Sequence, residues 1–313
     1  MSKKDVTQRW KDQPGLAAAV ARWLSDTAAP LPEGIGTLDG RVDLRGLPTF
    51  PAGNVRELRG VRWSGLDLTY ADLSGLWFFD VVIEDCILDQ ASLKNSRLLG
   101  VVCNRTSLVG ADLQQATVGG ATADSWPTWT DVDFSKAKLG RRMWSGVTIT
   151  RCTFTDTKMK GTEFYRCSIS DTTFATDLSE VIFDGKRSGL ARDLPFPEQE
   201  SVVMQRVDLS RSRLMFTGFR TCTMEGVSWP EDPKVRVILD PADVVEKAAG
   251  WLEAQDGRGN SAAAKGLRRL MDEVNVLLPD GTPFVVVNLA EWEQPSYAND
   301  MEAALFGEGQ SSS

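Results

Sequence analysis

The sequence predicts an all-β solenoid, and three observations carry that reading. Large apolar residues recur every five positions from Leu58 to Val118, a period that suits neither a helix (3.6) nor a strand (2.0). Two places before each lies a second column of small or weakly polar residues. Both columns return after an interruption, as a structural repeat requires.

The first block has its centres at Leu58, Trp63, Leu68, Leu73, Phe78, Ile83, Leu88, Leu93, Leu98, Cys103, Leu108, Leu113 and Val118. The frame slips by one residue near Trp126 and resumes at Phe134, Leu139 and Trp144, running to Phe174. Residues 184–200 (DGKRSGLARDLPFPEQE), rich in Gly, Pro and charge, read as a loop leaving the repeat. A third block runs from Met204 to Trp229. The three blocks hold 28 centres in all.

The segments ADLSG, ASLKN and ADLQQ resemble the loose consensus A(D/N)LXX of the pentapeptide repeat family, over about residues 40–230. That resemblance implies a right-handed quadrilateral β-helix of about seven coils, with four pentads to a square coil. Each pentad would supply one side, with its centre and minus-two residues pointing inward and the other three facing solvent. Residues twenty apart would stack, so Leu68, Leu88 and Leu108 form one interior ladder and Leu73, Leu93 and Leu113 another. Arg56 and Arg142, charged and bulky in the minus-two column, mark places where the pattern frays.

Both ends of a solenoid need covers, because an open coil invites edge-to-edge association. Residues 14–27 carry Leu16, Val20, Trp23 and Leu24 at helical spacing, so residues 1–39 read as an N-terminal helical cap. After Pro230 the period of five stops. Residues 234–239 read as a strand, Asp240-Pro241 as the start of a helix to about Ala254, 261–278 as a second helix and 284–287 as a strand. Residues 231–313 are therefore expected to form a small α/β appendage with a disordered tail.

Composition narrows the chemistry. The 313-residue chain has no histidine, which removes Ser-His-Asp and Cys-His nucleophilic sites and histidine-ligated metals. Its five cysteines, Cys86, Cys103, Cys152, Cys167 and Cys222, form no CxxC pair and all fall in the inward columns, where they read as small buried hydrophobes. The Gly-rich 256–261 segment lacks the spacing of a phosphate-binding loop, and the Glu84/Asp85 pair would lie on a convex surface without a pocket. The expectation is a non-catalytic protein without cofactor or metal. No apolar run is long enough to span a bilayer and the first residues lack a signal-peptide core, so the expected location is cytoplasmic, away from membranes.

Charge bears on the partner. The net charge is −8, but residues 40–230 carry 23 acids and 23 bases, while residues 231–313 carry 15 acids against 7 bases. The resemblance implies one activity in particular, since some family members mimic B-form DNA and bind type II topoisomerases in its place. That requires a continuous acidic stripe. The one acidic concentration in the repeat is Asp80, Glu84, Asp85 and Asp89, and the positions one coil on are Gly100, Asn104, Arg105 and Val109. A second candidate surface is apolar: Trp77 and Phe79 flank the centre Phe78, Leu99 stacks beyond Phe79, and Trp126 and Trp129 lie at the frame slip. Clustered outward aromatics suggest a protein interface unless the termini fold over them. The leading expectation is a non-catalytic protein-binding scaffold with a protein partner; the alternative is a topoisomerase-directed DNA mimic. Direct nucleic-acid binding is not expected, and end-to-end homodimerisation is a further expectation from the resemblance.

Overall fold

Every pentad centre of the first block is buried, and the chain between them turns a corner after each. The computed structural model describes residues 3–50, 56–122, 124–185, 201–239, 241–254, 262–269, 284–291 and 295–307. Over residues 41–229 they form a parallel β-solenoid of square cross-section.

Two of its four faces are regular sheets. On the first face the centres Leu58, Phe78, Leu98, Val118, Trp144, Phe164, Phe183 and Phe219 pair in parallel register. On the second, Trp63, Ile83, Cys103, Trp129, Ile149, Ile169, Met204 and Met224 do the same. Eight strands on each face make eight coils, one more than the pentad count implies, and at an inter-strand spacing of roughly 4.8 Å they span about 38 Å. The third and fourth faces hold the Leu68 and Leu73 ladders, joined largely by single bridges.

The register locates the centres that the pentad count leaves out: Phe183 pairs with Phe164, 19 positions back, and so falls out of a strict period of five. Val118 pairs with Trp144 and Cys103 with Trp129, each 26 positions on where 20 is the rule, so six residues are inserted after Val118. Six is one more than a pentad, which is why an insertion looks in the sequence like a slip by one. Trp129 is consequently a pentad centre, 2% exposed, and not a surface residue as its position at the slip suggested. Its ring stacks on Phe134 at 5.1 Å and packs against Trp144 at 5.2 Å. A second insertion lies between Phe183 and Met204: Phe183 pairs with Phe219, 36 positions on, so sixteen residues are added. Most of the expected loop at 184–200 lies outside the described residues. Both insertions fall in the register between a first-face strand and the second-face strand that follows it, three coils apart.

The interior is a set of stacked columns. Phe134, Phe154 and Phe174 lie ring on ring with centroids 4.7 Å apart, the spacing the coils impose. Phe164, Phe183 and Phe219 form a second column at 5.1 and 5.2 Å. The minus-two column is small for a reason beyond crowding: its side chains donate hydrogen bonds to carbonyls of the preceding coil. Thr157 Oγ1 reaches Phe134 O at 2.9 Å, Ser212 Oγ reaches Phe174 O at 2.6 Å, and the thiols of Cys152 and Cys167 reach Trp129 O and Trp144 O at 3.4 and 3.5 Å. Thr, Ser and Cys are the short side chains that can do this in a dry interior, where an unpaired carbonyl is costly.

Both ends are covered. Helices Lys3–Asp12 and Pro14–Trp23, only the second of which the sequence pattern marked, lie over the first coil. Leu24 O accepts from Trp63 Nε1 at 2.9 Å, Trp10 Nε1 donates to Arg45 O at 2.8 Å, and Arg9 grips Asp43 at 2.9 and 3.0 Å. Gly46, at φ 67°, lets the first helix sit directly on the coil, since a Cβ there would lie 2.9 Å from the Val6 carbonyl carbon. At the far end strands Val235–Leu239 and Phe284–Asn288 pair antiparallel, and Val235 and Phe284 join the rod's interior beside Trp229. Helices Pro241–Ala254, 262–269 and Pro295–Phe306 build a second small core against that sheet. The second half of the expected helix 261–278 and most of the expected tail lie outside the described residues.

Candidate interaction faces

The side chains that could meet a partner are those flanking the centres, since a strand side presents them to solvent. On the first face one outward column runs Glu57, Trp77, Arg97 and the other Arg59, Phe79, Leu99. The two columns alternate in a way that places an arginine over each ring: Arg59 Cζ lies 3.9 Å from the Phe79 centroid and Arg97 Cζ 4.2 Å from that of Trp77. The rings themselves meet edge to face at 6.3 Å. Trp77, Phe79 and Leu99 are half-buried, and the ring contacts described for the aromatic pair are with each other and with these arginines. The structure thus brings together Trp77, Phe79 and Leu99 as the outward positions require, and adds Arg59 and Arg97, which the sequence reading missed although their position twenty residues from an outward aromatic identifies them.

Trp126 is separate from that cluster. It sits in the inserted segment, half-buried, with its ring against Gly120, where any Cβ would lie 2.8 Å from Cε3. The segment folds back on the corner: Ala121 N donates to Ser125 O at 2.8 Å, and Ser125 Oγ donates to the Asp80 carboxylate across Gly100.

The four candidate acids are all engaged. Asp80 accepts from Ser125; Glu84 accepts from Arg62 and Arg105, each at 2.6 Å; Asp85 is held by Arg105 at 2.7 and 2.9 Å. The Arg105 hydrogen bonds hold the Asp85 carboxyl below the usual carboxylate range. Asp89 is half-buried and accepts from Ser107 Oγ at 2.5 Å and Val109 N at 3.0 Å; burial pushes its carboxyl up, against those two bonds.

Asp85 and Arg105 belong to a longer series. The corner after the second face reads Gly65, Asp85, Arg105, Asp131, Arg151, Asp171, Arg206, Gly226 on successive coils, every one at positive φ. Arg105, Arg151 and Arg206 each bind the aspartate one coil back through two parallel bonds of 2.5 to 2.9 Å. This edge of the rod therefore alternates in sign along six coils and carries no net charge. Among the described residues no three Cys, Asp or Glu side chains converge to hold a metal ion, and no helix is long and apolar enough to cross a membrane.

Residues 86–122 match the family profile for pentapeptide repeats in eight copies. The chain is a pentapeptide repeat protein. Solved structures similar to this pentapeptide repeat protein include a trypsin-treated form of QnrB1, a plasmid-mediated fluoroquinolone resistance protein, at 17% identity over 61% of this chain and 92% of that one, with a TM-score of 0.33. HetL, a pentapeptide repeat protein involved in heterocyst differentiation regulation in the cyanobacterium Nostoc sp. strain PCC 7120, is similar at 16% identity over 63% and 89%, with a TM-score of 0.25. No curated protein sequence matches this pentapeptide repeat protein.

Proposed function

We propose that this chain is a non-catalytic scaffold that binds a protein partner through the first face of the rod, at Trp77, Phe79 and Leu99. The observation that supports it most is the arginine-clamped pair Trp77–Phe79 on a flat sheet. Aromatic and arginine side chains are those most enriched among residues that dominate binding energy at protein interfaces. A β-solenoid holds them on a surface that loses little freedom on binding. The inserted segment with Trp126 stands at the edge of the same face and would select among partners.

The test is affinity capture from extract of the source cells with wild type, with Trp77→Ala/Phe79→Ala, and with Val203→Ala as a control on the second face. A partner retained by wild type and control but lost with the double variant supports the reading. A partner retained equally by all three, or by none, discards it.

A topoisomerase-directed DNA mimic is the second reading, favoured by the net charge of −8 and by the resemblance of the repeat. The surface speaks against it, because a stripe that occupies a phosphate-binding channel must be acidic along its length. Here Asp85, Asp131 and Asp171 are each matched by an arginine one coil on. A gyrase supercoiling assay with and without a quinolone decides it: a change in activity or drug sensitivity restores this reading, and no change removes it.

A further inference from the structure

Among the described residues, the corner between the fourth and first faces departs from the repeat at one coil. On neighbouring coils the residue two places after the centre is left-handed, as at Asn95, Gln115 and Gly161. After Leu139 the left-handed residue is Gly140, one place earlier, at φ 71°. Gly140 O accepts from Arg142 N at 3.0 Å and from Thr162 Oγ1 at 2.6 Å, which fixes the tightened turn. Its effect is to turn Arg142 out of the inward column, where Ala116 and Thr162 lie on the coils to either side, and to expose it beside Arg141. Breaks in an otherwise consistent local pattern concentrate at functional or strained sites.

The two arginines border a groove of about 420 Å³ lined by Lys94, Asn95, Gln114, Gln115, Arg141 and Arg142. Small-molecule sites run from roughly 300 to 1,000 Å³. Lys94 is held beside the groove by Asp112, 3.2 Å from its Nζ, and no ion pair is formed by Arg141 or Arg142 among the described residues. The stem of Arg141 lies flat over Gly161, where a Cβ would come within 2.9 Å of its Cγ. Every side chain of the lining is a hydrogen-bond donor, and two uncompensated guanidinium forks stand next to each other. Guanidinium pairs bind phosphate oxygens in bidentate fashion, and side-chain amides add donors without charge.

We infer that this groove binds a phosphate monoester, whose two negative charges match Arg141 and Arg142. The ester is either free in solution or carried on a phosphorylated side chain, and the chemistry of recognition is the same. This site is distinct from the aromatic cluster and stands or falls independently of the protein-binding reading.

The experiment is calorimetric titration of the full chain at low and physiological salt with phenyl phosphate, with a phosphoserine hexapeptide and with the same peptide unphosphorylated. The expected result is saturable binding of the phosphorylated probes, weakened at least tenfold in Arg141→Gln/Arg142→Gln at an unchanged melting temperature. Binding of both phosphorylated probes assigns the phosphoryl group itself as the determinant; preference for the peptide assigns a protein-borne source. Lys4→Gln/Arg211→Gln removes the same charge far from the groove and is expected to bind as wild type does. Absence of saturable binding, equal binding of the unphosphorylated peptide, or an equal loss in the distant pair overturns the assignment.

Discussion

Arg105 closes on Asp85 one coil back, Nε to Oδ1 at 2.7 Å and Nη2 to Oδ2 at 2.9 Å, while both residues sit in the left-handed region at φ 47° and 53°. Glycine adopts that backbone freely and other L-residues do so at a cost, so Gly65 and Gly226 are the unstrained members of the column and the six charged residues between them carry strain. The fork bonds offset it. Arg105→Gly removes strain and bond together, whereas Arg105→Glu keeps the strain and sets a third acid against Glu84 and Asp85. The melting temperature is therefore expected to fall more for Arg105→Glu than for Arg105→Gly, with the gap narrowing in 1 M salt as screening sets in. A larger drop for the glycine variant in a thermal melt would sink this account.

The ladder also fixes a pH response. Hydrogen bonds from their arginines lower the Asp85, Asp131 and Asp171 carboxyls below the ordinary 3.8. A lowered carboxylate contributes stability that is fully present above its unfolded value and is lost as pH falls through the folded one. Asp43, under the N-terminal helices, follows the same sign: burial raises it, but hydrogen bonds from Arg45 and Arg9 prevail and bring it to about 2. Amide exchange in helix Lys3–Asp12, corrected for intrinsic rates, is expected to speed up between pH 3.8 and about 2. In Asp43→Asn exchange should already be fast at pH 7; equal protection in the two proteins would show that the Arg9–Asp43 clasp does not hold the cap.

The cysteines give a chemical test of the interior. Burial raises every thiol: Cys86 to about 11, Cys152 and Cys167 to about 12, and Cys103 and Cys222 higher still. The thiolate is the reactive form. Iodoacetamide at pH 8 is expected to leave all five unmodified in the folded chain and to label all five in denaturant, as counted by intact mass. Rapid labelling of any one in the native state would contradict its place in the columns.

Trp129 carries a defect that the sequence does not show. Its indole Nε1 is buried without a hydrogen-bond partner among the described residues, unlike that of Trp63, which donates to Leu24 O. A buried unpaired donor costs roughly 1 to 3 kcal/mol. Trp129→Phe removes the donor and keeps a ring able to stack on Phe134, so its effect on the melting temperature should be small. Trp129→Ala empties the centre and should cost about 3 to 5 kcal/mol, as for large core aromatics generally. A phenylalanine variant as unstable as the alanine one would mean that the unpaired donor carries no penalty.

What could be read from the sequence follows from which side chains the coil forces inward. Leu73, Phe78 and Ala71 were legible because crowding leaves few alternatives, and Trp77 and Phe79 because they flank a centre. Trp129 was not, since an insertion of six mimics a slip of one in a repeat of five, and only the partner strand at Cys103 shows which residue is the centre. Nor was the Asp/Arg alternation, whose members lie 20, 26, 20, 20 and 35 residues apart and align only once the two insertions are located. The engagement of Asp80 by Ser125, 45 residues on, depends on the path of the same inserted segment.

That segment supplies the last prediction. The strands on either side of it keep the register of the regular coils: Val118 pairs back to Leu98 and Trp129 back to Cys103 and on to Ile149. The insertion therefore lies outside the rod's hydrogen-bond ladder, and loop length by itself changes stability only slightly, on the order of 0.6 kcal/mol per doubling. Deleting residues 121–126 restores a coil of twenty and should leave a folded protein whose melting temperature moves by a few degrees. If the first face binds a partner beside Trp126, the same deletion should weaken capture of that partner while Trp77 and Phe79 remain in place. An unfolded deletion variant would instead show that Ser125 and Trp126 are part of what closes the coil at Asp80 and Gly120.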